Sequence, residues 1–110
     1  MFLYVVRCIF DAREPMQKFL AWLRDRHVAD VCRAGAEDAE ITLFDPSDDH
    51  EHAIEVRYRF SSREAFERYE REEAPRLRAE GIAEAARLGL APGRGVVMKR
   101  CTGEGIDWKR

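Results

Sequence analysis

The stretch "FLYVVRCIF", residues 2–10, decides how this chain folds. It is rich in aromatic and β-branched residues, the composition of a strand. Phe2, Tyr4, Val6, Cys8 and Phe10 form one alternating set; Leu3, Val5, Arg7 and Ile9 form the other. Both sets are apolar apart from Arg7, so both sides of the strand need cover and its place is central in a sheet. The opening "MFLYVVRCIFDAREP" has neither the basic start nor the small-residue cleavage site of a signal peptide, and it reads as structure.

Working outward, "DAREP" turns the chain into a helix, with Pro15 suited to the first helical position. Met16, Phe19, Leu20 and Leu23 recur at the spacing of one buried helical face, with Trp22 at its margin. "RAG" (33–35) ends the segment, with Gly35 as a left-handed cap. Ala39, Ile41 and Leu43 then alternate with Glu40, Thr42 and Phe44. After the polar turn "DPSDDHE" (45–51), His52, Ile54, Val56, Tyr58 and Phe60 alternate with Ala53, Glu55, Arg57 and Arg59. Two such strands with a short connection form a hairpin.

"SSREAFERYE" (61–70) opens with the spacing of a capping box, Ser61 to Glu64, and Phe66 and Tyr69 mark the inner side of its helix. Pro75 kinks or restarts that helix in the first turn of a segment carrying Leu77, Ile82, Ala85 and Leu88. "GVVMKRC" (95–101) is the last strand, and residues 102–110 form a tail with one large hydrophobe, Trp108. The order β-α-β-β-α-β predicts a ferredoxin-like α+β domain over residues 1–101. Right-handed crossovers place two helices on one face of a four-stranded antiparallel sheet, with the first and third strands in the middle. The other face of the first strand is still apolar, and a second copy packed sheet to sheet covers it, the geometry of a dimeric α+β barrel. A monomer with its tail folded over the face is the alternative.

The bulk composition suits that reading. The chain has 110 residues, 45% hydrophobic and 36% charged, with a net charge of -2. Its signs are interspersed, so no basic face points to nucleic acid, and no apolar run approaches a membrane span. Cys8, Cys32 and Cys101 are widely spaced with no CxxC, which suggests small buried hydrophobes in a reducing cytoplasm. Arginine outnumbers lysine sixteen to three, a hint of a GC-rich bacterial genome.

The runs "FLAWLRDRHVADVCRAG", "YRFSSREAFERYEREEAPRLRAEG" and "VVMKRC" resemble a family of short bacterial proteins known only as a domain of unknown function. Its pattern is met by Trp22, His27, Asp30, Val31, Gly35, Ser62, Tyr69, by "APRLR" at 74–78 and by Gly81, and departs in the hairpin turn and in "APGRG". The resemblance implies a ferredoxin-like, dimeric fold and no activity. More distantly, the histidine near the end of the first helix resembles the dimeric α+β-barrel group. That group holds cofactor-free monooxygenases, polyketide cyclases, haem-degrading enzymes and proteins without known catalysis, so the likeness carries fold rather than function.

His27 falls near the centre of the buried face, and Asp30 lies one turn on. As a catalytic pair, His27 is a general base whose imidazole Asp30 orients. As structure, His27 serves the helix C-terminus and Asp30 caps the short turn, and that reading is favoured. Arg7, Arg57, Arg59 and Tyr58 are candidate ligand-binding residues: arginines lining a dimer barrel form a pocket for an anion. The competing role is cross-strand pairing with Glu40 and Glu55. His50 and His52 in "DDHEH" do not supply the three or four converging ligands of a closed metal site, so no metal is expected. Arg76 and Arg78 in "REEAPRLR" suit a solvated face. Phosphate-loop, GxSxG and dinucleotide motifs are missing, so no cofactor is expected.

The sequence thus favours a non-catalytic cytoplasmic homodimer that binds a small organic or anionic ligand or acts as an interaction module. The alternative is a cofactor-independent monooxygenase- or cyclase-type enzyme with His27 as base and Arg7 or Tyr58 polarising the substrate. A cavity bordered by His27 and Arg7 favours the enzyme, and a solid core around His27 the interaction module.

Overall fold

The computed structural model describes residues 1–109. β1 (Phe2–Phe10) lies in the middle of a sheet, between β3 (Ala53–Phe60) and β5 (Gly95–Glu104). β2 (Asp38–Leu43) flanks β3, and β4 (Ala91–Pro92) flanks β5. The register sets Tyr4 beside Tyr58, and Val6 between Val56 and Arg100. Even-numbered residues of β1 and β3 therefore face the helices, and odd-numbered ones face away.

The expected four-stranded antiparallel sheet is corrected: the sheet has five strands and is mixed. Ala91–Pro92 pairs with Gly95–Val96 in parallel. "APGRG" coils through almost a full turn, Ala91 and Arg94 exchanging backbone hydrogen bonds of 3.0 and 2.7 Å. Gly93 (φ 82°) and Gly95 (φ 84°) permit the coil, because side chains other than glycine's rarely tolerate those angles. β5 also runs on to Glu104, past the expected end of the last strand at Cys101. Arg110, the last residue of the expected tail, lies outside the described residues.

The first helical run is α1 (Arg13–Trp22), a π turn (Leu23–His27) and α2 (Val28–Ala34); it starts two residues before the expected position, so Pro15 is its third residue, still in the first turn where a missing N–H has no partner to lose. Within it, the Val28 amide donates to the Leu23 carbonyl five residues back, the bond of a π bulge. Gly35 ends it at φ 154°, positive as expected of a cap but outside the left-handed helical region. α3 (Arg63–Glu72) is capped by Ser62, whose Oγ accepts from the Ala65 amide at 3.0 Å, one residue later than the capping box expected at Ser61. α4 (Ala74–Arg87) restarts with Pro75 in its first turn, where the missing N–H costs nothing.

All four helices pack on the even-numbered face. Phe2, Tyr4, Phe60, Phe66 and Tyr69 form an aromatic cluster there, with Phe66 5.3 Å from Phe2 and 5.2 Å from Phe60 between ring centroids. Leu77, Ala74 and Ala85 of α4 are buried over it. Among the described residues, no helix is long and apolar enough to cross a membrane.

Candidate functional site

Sheet and helices do not close completely. Beneath the π turn and α4 lies a cavity of about 50 Å³, walled mainly by Val6, Phe19, Leu23, Ile54 and Val56. A single water needs roughly 10–15 Å³ of such space, so several fit. The polar groups on its wall come from Tyr4, Tyr58, Tyr69, His27, Arg78 and Arg100, with no carboxylate among them.

His27 reaches this cavity because of the π turn. On a regular helix, residues five apart sit roughly 140° from each other. The wider turn brings Trp22 and His27 nearly into line, and their rings stack at 4.4 Å and 20°. Trp22 packs in turn on Phe19 at 5.2 Å. Burial holds the His27 pKa below its usual value, with the charges of Glu80 and Asp30 pulling the other way. The ring is therefore neutral at pH 7. Its Nδ1 is buried with no hydrogen-bond partner. Asp30 instead accepts from Arg33 Nη2, so the carboxylate does not orient the imidazole.

Arg78 enters from α4. Its Nη2 donates to the Tyr4 hydroxyl and to Glu70 Oε2, each at 3.4 Å, while Nε is buried without a partner. The guanidinium carbon stands 5.8 Å from the Tyr4 ring centroid, so cation and ring also attract each other. Burial raises the Tyr58 and Tyr69 pKa values far above neutrality, and both hydroxyls keep their protons. Burial also pushes the Cys8 thiol up to about 11, leaving it un-ionised and unreactive at pH 7.

The structure divides the residues expected to bind a ligand. Tyr58 is buried on the cavity side, whereas Arg7, Arg57 and Arg59 are on the opposite face. Arg7 donates to Glu55 Oε1 from Nε (3.2 Å) and Nη2 (2.9 Å), and Arg57 Nη2 donates to Glu55 Oε2 at 3.3 Å. Arg59 Nη1 donates to Asp38 Oδ1 at 2.6 Å. Arg7 also lies over the Phe44 ring at 4.8 Å, and Phe44 meets His50 at 5.5 Å. His27 therefore borders a cavity and Arg7 does not.

Sequence reasoning assigned Arg78 to solvent and placed no role on Arg100 or Tyr4. One signal was present: Ala74, Arg78, Gly81 and Ala85 recur at three- and four-residue spacing, which sets Arg78 on the inward stripe of α4. Among the described residues, no three His, Cys, Asp or Glu side chains converge as a metal site.

The model of the family called domain of unknown function DUF4286 matches residues 1–88. No curated protein matches the sequence. Among solved structures, two dimeric ferredoxin-like proteins from an uncultured marine organism superpose on this chain. One has TM-score 0.65 at 15% identity, covering 100% of this chain and 99% of its own. The other has TM-score 0.71 at 10% identity, covering 98% and 97%. A Streptomyces coelicolor monooxygenase in complex with nanaomycin D has TM-score 0.59 at 15% identity, covering 99% of this chain and 92% of its own. These likenesses show a shared ferredoxin-like fold.

Proposed function

The chain belongs to the DUF4286 family, a domain of unknown function, and we propose that it is a homodimer binding a small organic molecule between sheet and helices. One observation carries the ligand: a cavity of about 50 Å³ lies between sheet and helices, and His27 and Arg78, which line it, each keep a buried nitrogen (Nδ1 and Nε) without a partner. An unsatisfied buried polar group costs about 1–3 kcal/mol, which a ligand supplying its partner recovers. The test is mass spectrometry of the small molecules that copurify with the native protein and with Gly81→Leu. A Cβ at Gly81 would stand 4.0 Å from Trp22 Cη2, so the longer side chain fills the cavity mouth. A copurifying molecule lost in that variant supports the proposal; an identical small-molecule content in both proteins overturns it.

Self-association is supported by the open face and by the two dimeric relatives in fold. Leu3, Val5 and Ile9 are only half-buried there, and Val97, opposite Ile9, is exposed. Each arginine of that face already meets a carboxylate, which speaks for a second copy and against nucleic acid. Light scattering of a Val97→Glu variant shifts the mass toward one chain; a wild-type mass of one chain at micromolar concentration refutes the dimer. Free Cys8, Cys32 and Cys101 support a place in a reducing bacterial cytoplasm.

A second reading is cofactor-independent oxygenation or cyclisation, with neutral His27 as general base. It is favoured by the imidazole on the cavity wall and by the monooxygenase of similar fold. Oxygen uptake or ring closure of the copurified ligand that disappears in His27→Ala supports this reading, and undiminished turnover excludes it.

A further inference from the structure

We infer that the two copies pack outer face on outer face about a two-fold axis running along the strands, so that β5 of each lies over β2 of the other and Lys99 meets the partner's Glu40. The inference rests on the homodimer reading above and goes further by fixing how the copies meet.

The two edges of the outer face differ in charge. At its middle, Arg7 and Arg57 share Glu55. On β5 the register sets Lys99 opposite Arg7, cation beside cation, and the other outward residues there, Val97, Cys101 and Gly103, carry no charge. On β2, Asp38 and Glu40 point outward, and Asp38 bonds Arg59. Glu40 stands opposite Arg57, but that guanidinium turns to Glu55. Among the described residues, Lys99 and Glu40 thus form no ion pair, one at each edge.

A two-fold dimer presents the same face twice, so the axis decides which edges meet. An axis across the strands sets each edge over itself, Lys99 toward the partner's Lys99 and Glu40 toward the partner's Glu40. An axis along the strands sets each edge over the opposite one, and both unmatched charges find their complement. Like charges brought together repel, which selects the second arrangement.

The end of the sheet repeats the pattern. The turn at 45–51 holds Asp45, Asp48, Asp49 and Glu51 at the β2 corner, and the coil before β5 holds Arg94 at the other corner of the same end. Phe10 ties the corners to one height, bonding His52 on one side and pairing with Val96 on the other. An axis along the strands keeps heights, so acidic turn meets basic coil; an axis across them brings that turn to the acidic start of the partner's β2.

Side chains agree with the heights. Phe44 continues β2 beside Ala53, level with Ile9 and Val97, so the exposed Val97 comes over the partner's Phe44. Lys99 comes level with the partner's Thr42, one pleat or roughly 7 Å from the partner's Glu40, which its flexible four-carbon stem spans. Cys101 comes level with the partner's Glu40 itself.

The test measures dimer dissociation of the full chain by analytical ultracentrifugation at low salt. Lys99→Glu and Glu40→Lys each weaken the dimer about tenfold, and the two reversals together bring it back to within about threefold of wild type. Both side chains are exposed, so the fold is kept. A second measurement is bis-maleimide crosslinking, for which Cys101 is exposed and Cys8 is buried. Glu40→Cys crosslinks into a covalent dimer, and the same variant carrying Cys101→Ser does not. Crosslinking of the wild type through Cys101, or of Glu40→Cys without Cys101, overturns the inference, since each sets an edge over itself. Single reversals that leave dissociation unchanged overturn it too, as does a double reversal no tighter than the singles. In each of these cases a dimer still broken by Val97→Glu keeps the homodimer reading, whereas a wild-type mass of one chain overturns both.

Discussion

The two faces of this sheet carry arginine in opposite settings. On the outer face, strand register alone sets Arg7 opposite Glu55, Arg57 opposite Glu40 and Arg59 opposite Asp38. Opposed charges at that spacing neutralise each other, and the result is a balanced, partly apolar surface suited to a second copy. On the inner face, Arg100 has Val6 as its cross-strand neighbour, and Arg78 arrives from a helix. Nothing in the register supplies a carboxylate there, and Arg78 instead meets Glu70 of α3. The same residue type thus faces a carboxylate across the strands on one side and an apolar neighbour on the other, and the difference lies in what stands opposite.

Four changes break or sharpen that contrast. Phe60→Ala has the largest effect. Phe60 is fully buried against Phe66 and Tyr69, and its loss costs about 3–5 kcal/mol in urea unfolding. A cost under about 1 kcal/mol would show that the inner face is not the core.

Glu55→Ala comes next. It unpairs Arg7 and Arg57, whose side chains are 41% and 46% exposed, so solvent screening limits the loss to about 1 kcal/mol in a single chain. If a second copy covers this face, the loss grows with protein concentration, and a loss independent of concentration argues for an uncovered face. Ser62→Ala removes a helix cap belonging to neither face and costs about 1 kcal/mol at every concentration, a yardstick for the Glu55 result.

The smallest effect is a pH slope from His27. Its folded pKa lies below the ordinary value of 6.5, so between the two the unfolded chain binds more protons than the folded one. This contribution to stability is complete above about pH 6.5 and is lost as pH falls toward the folded pKa. Urea midpoints at pH 7 and pH 5 therefore show a drop in wild type that is smaller in His27→Phe. Equal drops would place His27 in water rather than on the cavity wall.

Much of this fold is legible along the chain. β1 is apolar in both alternating sets and lies third in the sheet, as that pattern requires. Pro75 restarts a helix and the two hairpin strands pair, although Ala53–Val56 are buried without alternation and Leu43 is exposed. Three features are not legible. "LRDRH" has no residue that announces a π turn, because an extra residue in a helix is accepted or rejected by the packing beneath it. "APGRG" resembles a simple helix exit, and only its neighbour β5 turns two of its residues into a strand. The cap at Ser62 rather than Ser61 depends on which hydroxyl meets an amide, a difference of one residue that pattern does not resolve.

The candidate site divides in the same way. His27 was visible as a polar residue on an apolar stripe, and it does border the cavity. Asp30 was visible as its neighbour, yet it turns to Arg33, since the π turn offsets the faces of α2 by about one residue. Arg7, Arg57 and Arg59 were visible as charges on strands; register sets the partners of Arg7 and Arg59, while Arg57 pairs with Glu55 two residues away on its own strand.

Sequence by itself determined the order of the four long strands and two helical runs, the central strand and the family, because periodicity and composition act within a segment and survive without neighbours. Tertiary structure alone decided that Arg78 meets Glu70 and the Tyr4 hydroxyl, and that Trp22, His27, Tyr4 and Arg78 meet around one cavity. Those outcomes depend on groups as far apart as Tyr4 and Arg78, seventy-four positions along the chain, and only packing brings such groups within reach.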